Sequence, residues 1–376
     1  MQLSEEQRLI RETIREFVDD EVVDAAREAD EHQEFPERLW DELAELGFTG
    51  LTIPEEYGGF DADQLTYSLV NEELAYGDLS LATALSVHCL ACSCIRNFGG
   101  ERHREEWLPE MNEGRPVGAF ALSEPEAGSN PAEMSTVARR DGDEYVINGT
   151  KQWITNGERA GVIILFAKTA ADDSGSITQF LVPKEADGVT VGKKEDKLGL
   201  RASDTTTLVF EDARIPASNQ LTEVGKGLKA ALSTLTGGRV AIASQAVGLA
   251  QAALDEAIVY ADDREQFGQP IADHQAIAHK LADMETTVQA ARLLTRDAAR
   301  RNEGGVDPLA ASMAKYFASE TAVEVTGDAI QVHGGYGFTK DFDVERYYRD
   351  ARVTTIYEGT SEIQKDIISR HLAPSR

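Results

Sequence analysis

The spacing of the apolar residues changes twice along the chain, and these changes limit the folds that it can adopt. Before about residue 118, apolar residues such as Ile10, Ile14 and Phe17 recur every three or four positions, which is the period of a helix packed on one face. Short apolar runs bounded by Gly, Asn, Asp and Pro follow, as in 162–166, and they are typical of strands. From about residue 226 the helical period returns.

These three stretches predict an α+β multidomain protein. No helical pattern separates the apolar runs of the middle stretch, which favours an antiparallel sheet or barrel over a parallel βαβ array. Long helices with short links in the last stretch favour an antiparallel bundle. We therefore predict an N-terminal all-α domain over 1–118, a middle antiparallel β-barrel over 119–225 and a C-terminal four-helix bundle over 226–376.

The charge balance is strongly acidic, with 37 Lys and Arg against 66 Asp and Glu and a formal net charge of −29. Such a chain should repel nucleic acid and anionic membranes. The acidic residues are scattered, as in Asp172-Asp173 and Asp262-Asp263, so most of them are expected on a solvated surface. Dense carboxylates suit a chain whose self-repulsion is screened by salt, and we expect a salt-requiring protein from a halophile.

The N-terminal segment from Met1 to Glu6 has no basic stretch followed by an apolar one, so it does not read as a signal peptide. No apolar run approaches the ~20 residues that span a bilayer. We therefore expect a cytoplasmic protein without membrane insertion. His88, Cys89, Cys92 and Cys94 superficially resemble a metal site, but no second Cys/His pair completes a set of four ligands, and we predict buried thiols and no metal.

Three segments could bind a cofactor or serve an ordinary structural role. The glycine-rich stretch 333–337 is either a backbone platform that a cofactor approaches closely or the turn after a helix. The segment 119–130 could cradle phosphates or a polar ring with its hydroxyls and amides, or form an ordinary loop. Trp153 could stack on a ring or lie in the core, and the residues alone leave each alternative open.

Glu358 lies between an aromatic residue and a glycine, just before a helix that begins near Thr360. A carboxylate in this place could be a general base. It could also only stabilise the helix N-terminus, an effect of ~0.3–1 kcal/mol.

Taken together, these segments resemble the acyl-CoA dehydrogenase family over nearly the whole chain. The stretch after Gly237 resembles the short-chain, butyryl-type members in particular. The motifs that carry the resemblance are 53–59, 119–130, 152–157, 197–203, 264–268, 331–335, 349–352 and 356–364.

The resemblance implies FAD bound in a homotetramer and oxidation of a short- to medium-chain fatty acyl-CoA to the trans-2-enoyl-CoA. Glu358 would take the α-proton, the β-hydride would go to flavin N5, and the electrons would pass to an electron-transfer flavoprotein. The resemblance further implies that Arg264, Phe267, Gln275, Gln331, Gly334 and Gly335 hold the pyrophosphate and adenosine of FAD across a subunit boundary. The other implied cofactor-binding residues are Phe120, Leu122, Ser123, Gly128, Ser129, Trp153, Ile154, Thr155, Val332, Thr360 and Glu362, and the implied substrate-binding residues are Ser129, Gly238, Arg239, Tyr357 and Gly359.

Some residues depart from the family pattern. One branch carries its base near residue 238, where this chain has Gly238, and that favours Glu358 as the base. Glu126, Asn130 and His333 stand where other residues are usual. Two alternatives remain open: an acyl-CoA oxidase or flavin monooxygenase of the same fold, and a non-catalytic tetrameric scaffold with a degenerate site.

Overall fold

The computed structural model describes residues 3–171, 173–303, 305 and 307–372. Met1 and Gln2 of the N-terminal segment discussed above, Asp172 of the acidic pairs and the last four residues of the expected C-terminal domain lie outside the described residues. The N-terminal part consists of helices, because apolar residues at helical spacing bury one face of each. They are α1 (Glu5–Phe17), which a π-helical turn (Val18–Val22) joins to α2 (Val23–His32), then α3 (Glu37–Glu45), α4 (Gln64–Gly77), α5 (Leu79–Phe98) and α6 (Glu101–Asn112).

The expectation that no apolar segment is long enough to span a bilayer is wrong for helix α5. With 20 residues, this helix is long and apolar enough to cross a membrane. It is the one helix in the described part of the chain that meets this criterion of length and composition. Of the most apolar window of this helix, 83% is buried inside the protein, where it packs against α4 and the C-terminal helices. Such burial is typical of the core helix of a globular protein, and it explains why this helix is apolar on all sides.

The middle part is a seven-stranded sheet with the strand order β1-β4-β2-β3-β7-β6, in which β5 also pairs with β4. The β1–β4 pair and the short β2–β4 pair are parallel, whereas β2–β3, β3–β7, β4–β5 and β6–β7 are antiparallel. The expected antiparallel arrangement therefore does not hold for the pairs of β4 with β1 and β2, since alternation of apolar residues does not encode strand direction. The strands are β1 (Val117–Ala121), β2 (Val137–Asp141), β3 (Glu144–Thr155), β4 (Ala160–Lys168), β5 (Ile177–Pro183), β6 (Val189–Lys194) and β7 (Thr205–Pro216).

The C-terminal part is again helical. Its longest helix is packed against α8 and α9 and also against α4 and α5 of the N-terminal part, so the two helical parts share one apolar core. The sequence patterns did not predict the helix Val344–Thr354, because it is short and rich in arginine. The elements are α7 (Gly227–Asp263), a small hairpin of β8 (Glu265–Gln266) and β9 (Gln269–Pro270), α8 (Gln275–Glu303), α9 (Pro308–His333), α10 (Val344–Thr354) and α11 (Ser361–Leu372).

We propose that the acidic surface makes folding depend on salt. With a net charge of −29, self-repulsion opposes the compact state most strongly where screening is weak. The temperature of thermal unfolding, followed by circular dichroism, is expected to rise as KCl is raised from ~0.1 M to ~2 M. A sucrose series serves as the non-ionic control, and an unfolding temperature that salt leaves unchanged would contradict the proposal.

Candidate active site

Glu358 lies in the short connection between α10 and α11, in a left-handed backbone conformation. Its φ is 54°, and that of Gly359 is 91°. A left-handed non-glycine residue costs of order 1–3 kcal/mol and persists where surrounding contacts impose it. Lys315 Nζ donates to the Gly359 carbonyl at 2.8 Å, and Gln364 Nε2 donates to the carbonyls of Glu358 (3.2 Å) and Gly359 (2.8 Å). These contacts hold the strained turn in place.

The Glu358 carboxyl group is aimed at α7, where Gly238 leaves room for it. A Cβ built on Gly238 would lie 3.0 Å from Glu358 Oε2, so a larger residue there would crowd the carboxylate. Oε2 is buried and has no hydrogen-bond partner among the described residues. Burial raises the pKa of Glu358 to about 7, although Arg239 and Lys315 act in the opposite direction. A carboxylate with this pKa is suited to accept a proton near neutral pH.

Arg239 and Tyr357 flank this carboxylate. Arg239 is buried in α7, its Nε has no hydrogen-bond partner, and no carboxylate of the described residues lies within ion-pair distance of it. Its pKa is lowered by burial, and the charge of Glu358 opposes that shift. Tyr357 OH donates to Gln245 Oε1 at 3.4 Å. The buried guanidinium therefore neutralises charge near Glu358 without being consumed by a structural ion pair.

A cavity of about 160 Å³ opens beside this group of residues. Gly237 and Gly238 form part of its wall, and Tyr67 and Leu90 form another part. Leu90 Cδ1 lies 3.5 Å from the position of a Cβ on Gly238, which places this part of the wall next to the carboxylate. The other lining residues are Thr52, Gln64, Cys89, Ser93, Asn97, Ser233, Thr234 and Asn302.

The residues expected around the flavin ring come together where β1 ends and β3 passes it. The Gln152 amide donates to the Ser123 carbonyl at 2.9 Å, which aligns the segment after β1 with the end of β3. Trp153 has a φ of 63° and is 60% exposed, so its ring is turned out of the sheet into open space. An exposed indole on a fixed backbone is a suitable surface for a planar ring. Of the remaining residues, Leu122 and Ile154 are buried in the core, and Phe120, Ser123 and Thr155 are half-buried.

A buried ion pair anchors the segment that follows β1, and the sequence patterns did not predict it. Lys151 Nζ contacts Glu124 Oε1 at 2.8 Å and donates to the Leu122 carbonyl at 3.0 Å, and its side chain is 0% exposed. The backbone amides of Ser135 and Thr136 donate to the Glu124 carboxylate. Burial alone would raise the pKa of Glu124, but Lys151 and these hydrogen bonds outweigh it and lower the pKa to about 2. The pair is therefore charged at neutral pH.

The remaining residues expected to contact the cofactor lie in two other segments, the turn after β1 and the start of α11. Gly128 and Ser129 are exposed in the turn after β1, and no atom lies within 4 Å of a Cβ position on Gly128. Thr360 Oγ1 accepts a hydrogen bond from the Ile363 amide at 3.3 Å and so helps to begin α11, while Glu362 in its first turn is exposed. Among the described residues, none of these four forms a side-chain hydrogen bond with Glu358.

A second, larger cavity of about 720 Å³ lies where the β8–β9 hairpin meets the end of α9. Phe267 is 96% exposed at its rim. No atom lies within 4 Å of a Cβ position on Gly334 or Gly335, so these residues form an open platform. Of the residues expected to hold the far end of FAD, the cavity is lined by Arg264, Phe267, Val332, Gly334 and Gly335, whereas Gln275 and Gln331 are exposed nearby.

His333, whose role the sequence left open, is a packing residue beneath this platform. Its ring stacks on Tyr260 with the centroids 4.2 Å apart, and Nδ1 is hydrogen-bonded to the Ala329 carbonyl at 2.8 Å. The cavity is far from Glu358, since Lys315 and His333 are 18 residues apart on α9 and a helix rises ~1.5 Å per residue, which gives about 27 Å.

The donor set fits FAD in two parts. An exposed indole and backbone amides near Ser123 suit a flavin ring, and a cavity with Arg264 and open glycines suits a pyrophosphate and an adenosine. Among the described residues, nothing covers the open platform at Gly334 and Gly335, and the Phe267 ring meets only the edge of the His274 ring, with the centroids 5.9 Å apart.

Comparisons with known proteins agree with this geometry. Three family models match the chain: the acyl-CoA dehydrogenase N-terminal domain over 4–115, its middle domain over 119–213 and its C-terminal domain over 225–373. The mitochondrial short-chain specific acyl-CoA dehydrogenase of Bos taurus is 44% identical over 378 residues, a match that covers 100% of this chain and 92% of that protein.

Two solved structures have nearly the same fold. Butyryl-CoA dehydrogenase from Megasphaera elsdenii is 40% identical, with a TM-score of 0.96 over 99% of both chains. A chain solved in work on the electron transferring flavoprotein of Acidaminococcus fermentans is 41% identical, with a TM-score of 0.97 over 100% of both chains. The expected three-domain fold is thus confirmed.

Acyl-CoA dehydrogenases bind FAD, so the cofactor expected from the sequence is confirmed as well. The family models together match most of the 376 residues, and the chain covers nearly the full length of its relatives. On these grounds the chain belongs to the acyl-CoA dehydrogenase family.

Proposed function

We propose that the protein oxidises a short-chain acyl-CoA to the trans-2-enoyl-CoA, with Glu358 as the base that takes the α-proton. The observation that carries this proposal is the Glu358 carboxylate, whose Oε2 is buried and unpartnered opposite Gly238 in the cavity wall. A buried polar group without a partner is costly unless a ligand completes it. A thioester with its α-carbon at this point would supply the missing contact.

The chain's own residues would position the thioester and remove its α-proton. Glu358 accepts the α-proton on Oε2, where its raised pKa leaves a large share of the group in the basic form at neutral pH. The backbone amide of Glu358 and the buried Arg239 beside it would favour the enolate-like transition state, in which negative charge develops on the thioester oxygen. FAD, when bound, accepts the β-hydride. Trp153, Ser123 and Thr155 would hold its ring, and Arg264, Phe267 and Gly334 would hold its far end in the neighbouring subunit.

The small cavity favours a short acyl chain. Its volume of about 160 Å³ is well below the ~300–1,000 Å³ that is typical of small-molecule pockets. The relatives named above act on short acyl groups according to their names, which supports the same class here.

We also propose a homotetramer in the cytoplasm that passes its electrons to an electron-transfer flavoprotein. The open glycine platform and the Phe267 ring support an assembly in which another subunit completes the larger cavity. The structure from work on an electron transferring flavoprotein supports the choice of acceptor.

The test is anaerobic reduction of the protein-bound flavin by single acyl-CoA thioesters. Butyryl-CoA is expected to bleach the flavin absorbance, and octanoyl- and palmitoyl-CoA are expected to do so more slowly. A yellow protein that none of these thioesters bleaches would contradict the proposed substrate class. Rapid peroxide formation in air would favour an oxidase or monooxygenase, and a colourless protein that takes up no FAD would favour the scaffold reading.

A further inference from the structure

Lys315 is a fully buried lysine on α9, and the proposed chemistry gives it no role. The helix face that carries it is otherwise made of small residues, including Ala311, Ala318 and Ser319, all of which are buried. A lysine is almost never fully buried without a partner. Its one hydrogen bond among the described residues goes from Nζ to the Gly359 carbonyl at 2.8 Å.

The same face of α9 fixes the whole connection between α10 and α11. Ser319 Oγ donates to the Thr354 carbonyl at 2.9 Å, before the turn. Glu320 Oε1 accepts a hydrogen bond from Ser361 Oγ at 2.5 Å, after the turn. Lys315 contacts the middle of the turn, next to the base. Three side chains of α9 therefore bind the connection before, within and after the turn, and together they restrain the Glu358–Gly359 peptide.

Lys315 is also one of two cations that face the base. Arg239 approaches Glu358 from α7, and Lys315 approaches it from α9. The other ionisable groups around this point are Tyr67 on α4, Tyr357 beside the base, Glu320 on α9 and Glu362 on α11. Burial lowers the pKa of Lys315 to about 8, with Glu358 acting against the shift, so the ammonium form prevails at pH 7.

We propose that Lys315 is a positioning residue for the base, because its ammonium group holds the Gly359 carbonyl and sets a positive charge beside the Glu358 carboxylate. The proposal rests on the proposed function of Glu358. Gln364 also donates to the Gly359 carbonyl, but it is neutral. The turn thus has two donors that fix its shape, and Lys315 is the one that also supplies charge.

The test compares the pH dependence of flavin reduction in Lys315→Met, Lys315→Gln and the unchanged holoenzyme. In the unchanged enzyme the rate is expected to rise through about pH 7, as Glu358 loses its proton. Both substitutions remove the charge, so both are expected to move this midpoint upward by about one pH unit. Glutamine can still donate to the Gly359 carbonyl, so Lys315→Gln should keep a higher rate than Lys315→Met at high pH.

Lys365→Met is the matched control. Lys365 lies on α11 with its ammonium group over the Tyr316 ring at 4.7 Å, but it is exposed to solvent. Its removal changes the net charge by the same amount in the same region, and the midpoint should stay where it is. An unshifted midpoint in both Lys315 variants, or an equal shift in Lys365→Met, would overturn the proposal.

A second measurement does not depend on turnover. Infrared difference spectra, recorded during a pH titration, report the protonation of a buried carboxyl directly, and Glu358→Gln identifies its band. The band of Glu358 should titrate at higher pH in Lys315→Gln than in the unchanged protein. If acyl-CoA never bleaches the flavin, the proposed function fails on its own, while the infrared titration still decides whether Lys315 controls the carboxyl group.

Discussion

Replacing Glu358 with glutamine is expected to leave FAD bound and to lower the rate of flavin reduction by butyryl-CoA about 10²–10⁴-fold. Glutamine has nearly the same shape and keeps the backbone turn that Lys315 and Gln364 hold, but it cannot accept the α-proton. Stopped-flow absorbance under anaerobic conditions measures the rate, and the visible spectrum measures retained flavin.

Asp366→Asn provides the control for this substitution, because Asp366 is an exposed carboxylate on α11, one helix turn beyond the site. It should reduce its flavin at the unchanged rate. A Glu358→Gln variant that keeps the full rate would show that another group is the base.

Replacing Lys151 with methionine is expected to cost about 3–5 kcal/mol of stability, because it leaves the Glu124 carboxylate buried without its counter-ion. The loss of stability should be largest in the segment that Lys151 anchors through the Leu122 carbonyl. Because this segment is expected to contact the flavin, FAD should dissociate more readily. Thermal unfolding and flavin fluorescence in the filtrate after ultrafiltration measure the two effects.

Two further variants make this result specific. Lys193→Met removes a lysine from an ion pair of the same sheet, but Lys193 is 73% exposed, and an exposed pair contributes ~0–1 kcal/mol. In the double variant Lys151→Met/Glu124→Gln the uncompensated charge is gone, and much of the stability should return. Equal losses in the Lys151 and Lys193 variants would contradict the role given to burial.

The domain order could be predicted from the sequence because the apolar period differs between helices and strands, as at Ile10 to Phe17 and at 162–166. The direction of β1 relative to β4 could not, since it depends on the path of the intervening strands. The motifs identified Glu358 and Trp153 as candidate site residues. Their left-handed backbone conformation, however, is visible only in the structure.

The two buried lysines illustrate what sequence reading overlooked. A lysine is almost never fully buried, so composition alone places neither of them in the core. Each nevertheless follows the apolar pattern of its element: Lys315 shares a face of α9 with Ala311 and Ala318, and Lys151 lies on the same buried face of β3 as Tyr145 and Ile147. A cation at a position where the period requires an apolar residue is therefore a signal that could have been used.

The burial of the Lys151–Glu124 pair also determines how the segment after β1 responds to a high salt concentration. At 1 M salt the Debye length is ~3 Å, so ions in solution weaken the attraction between exposed partners such as Arg102 and Glu106. Dissolved ions cannot reach a pair whose side chains are 0% and 2% exposed. The attraction that anchors the segment after β1 therefore stays nearly constant as the salt concentration rises, whereas that of the exposed pairs declines.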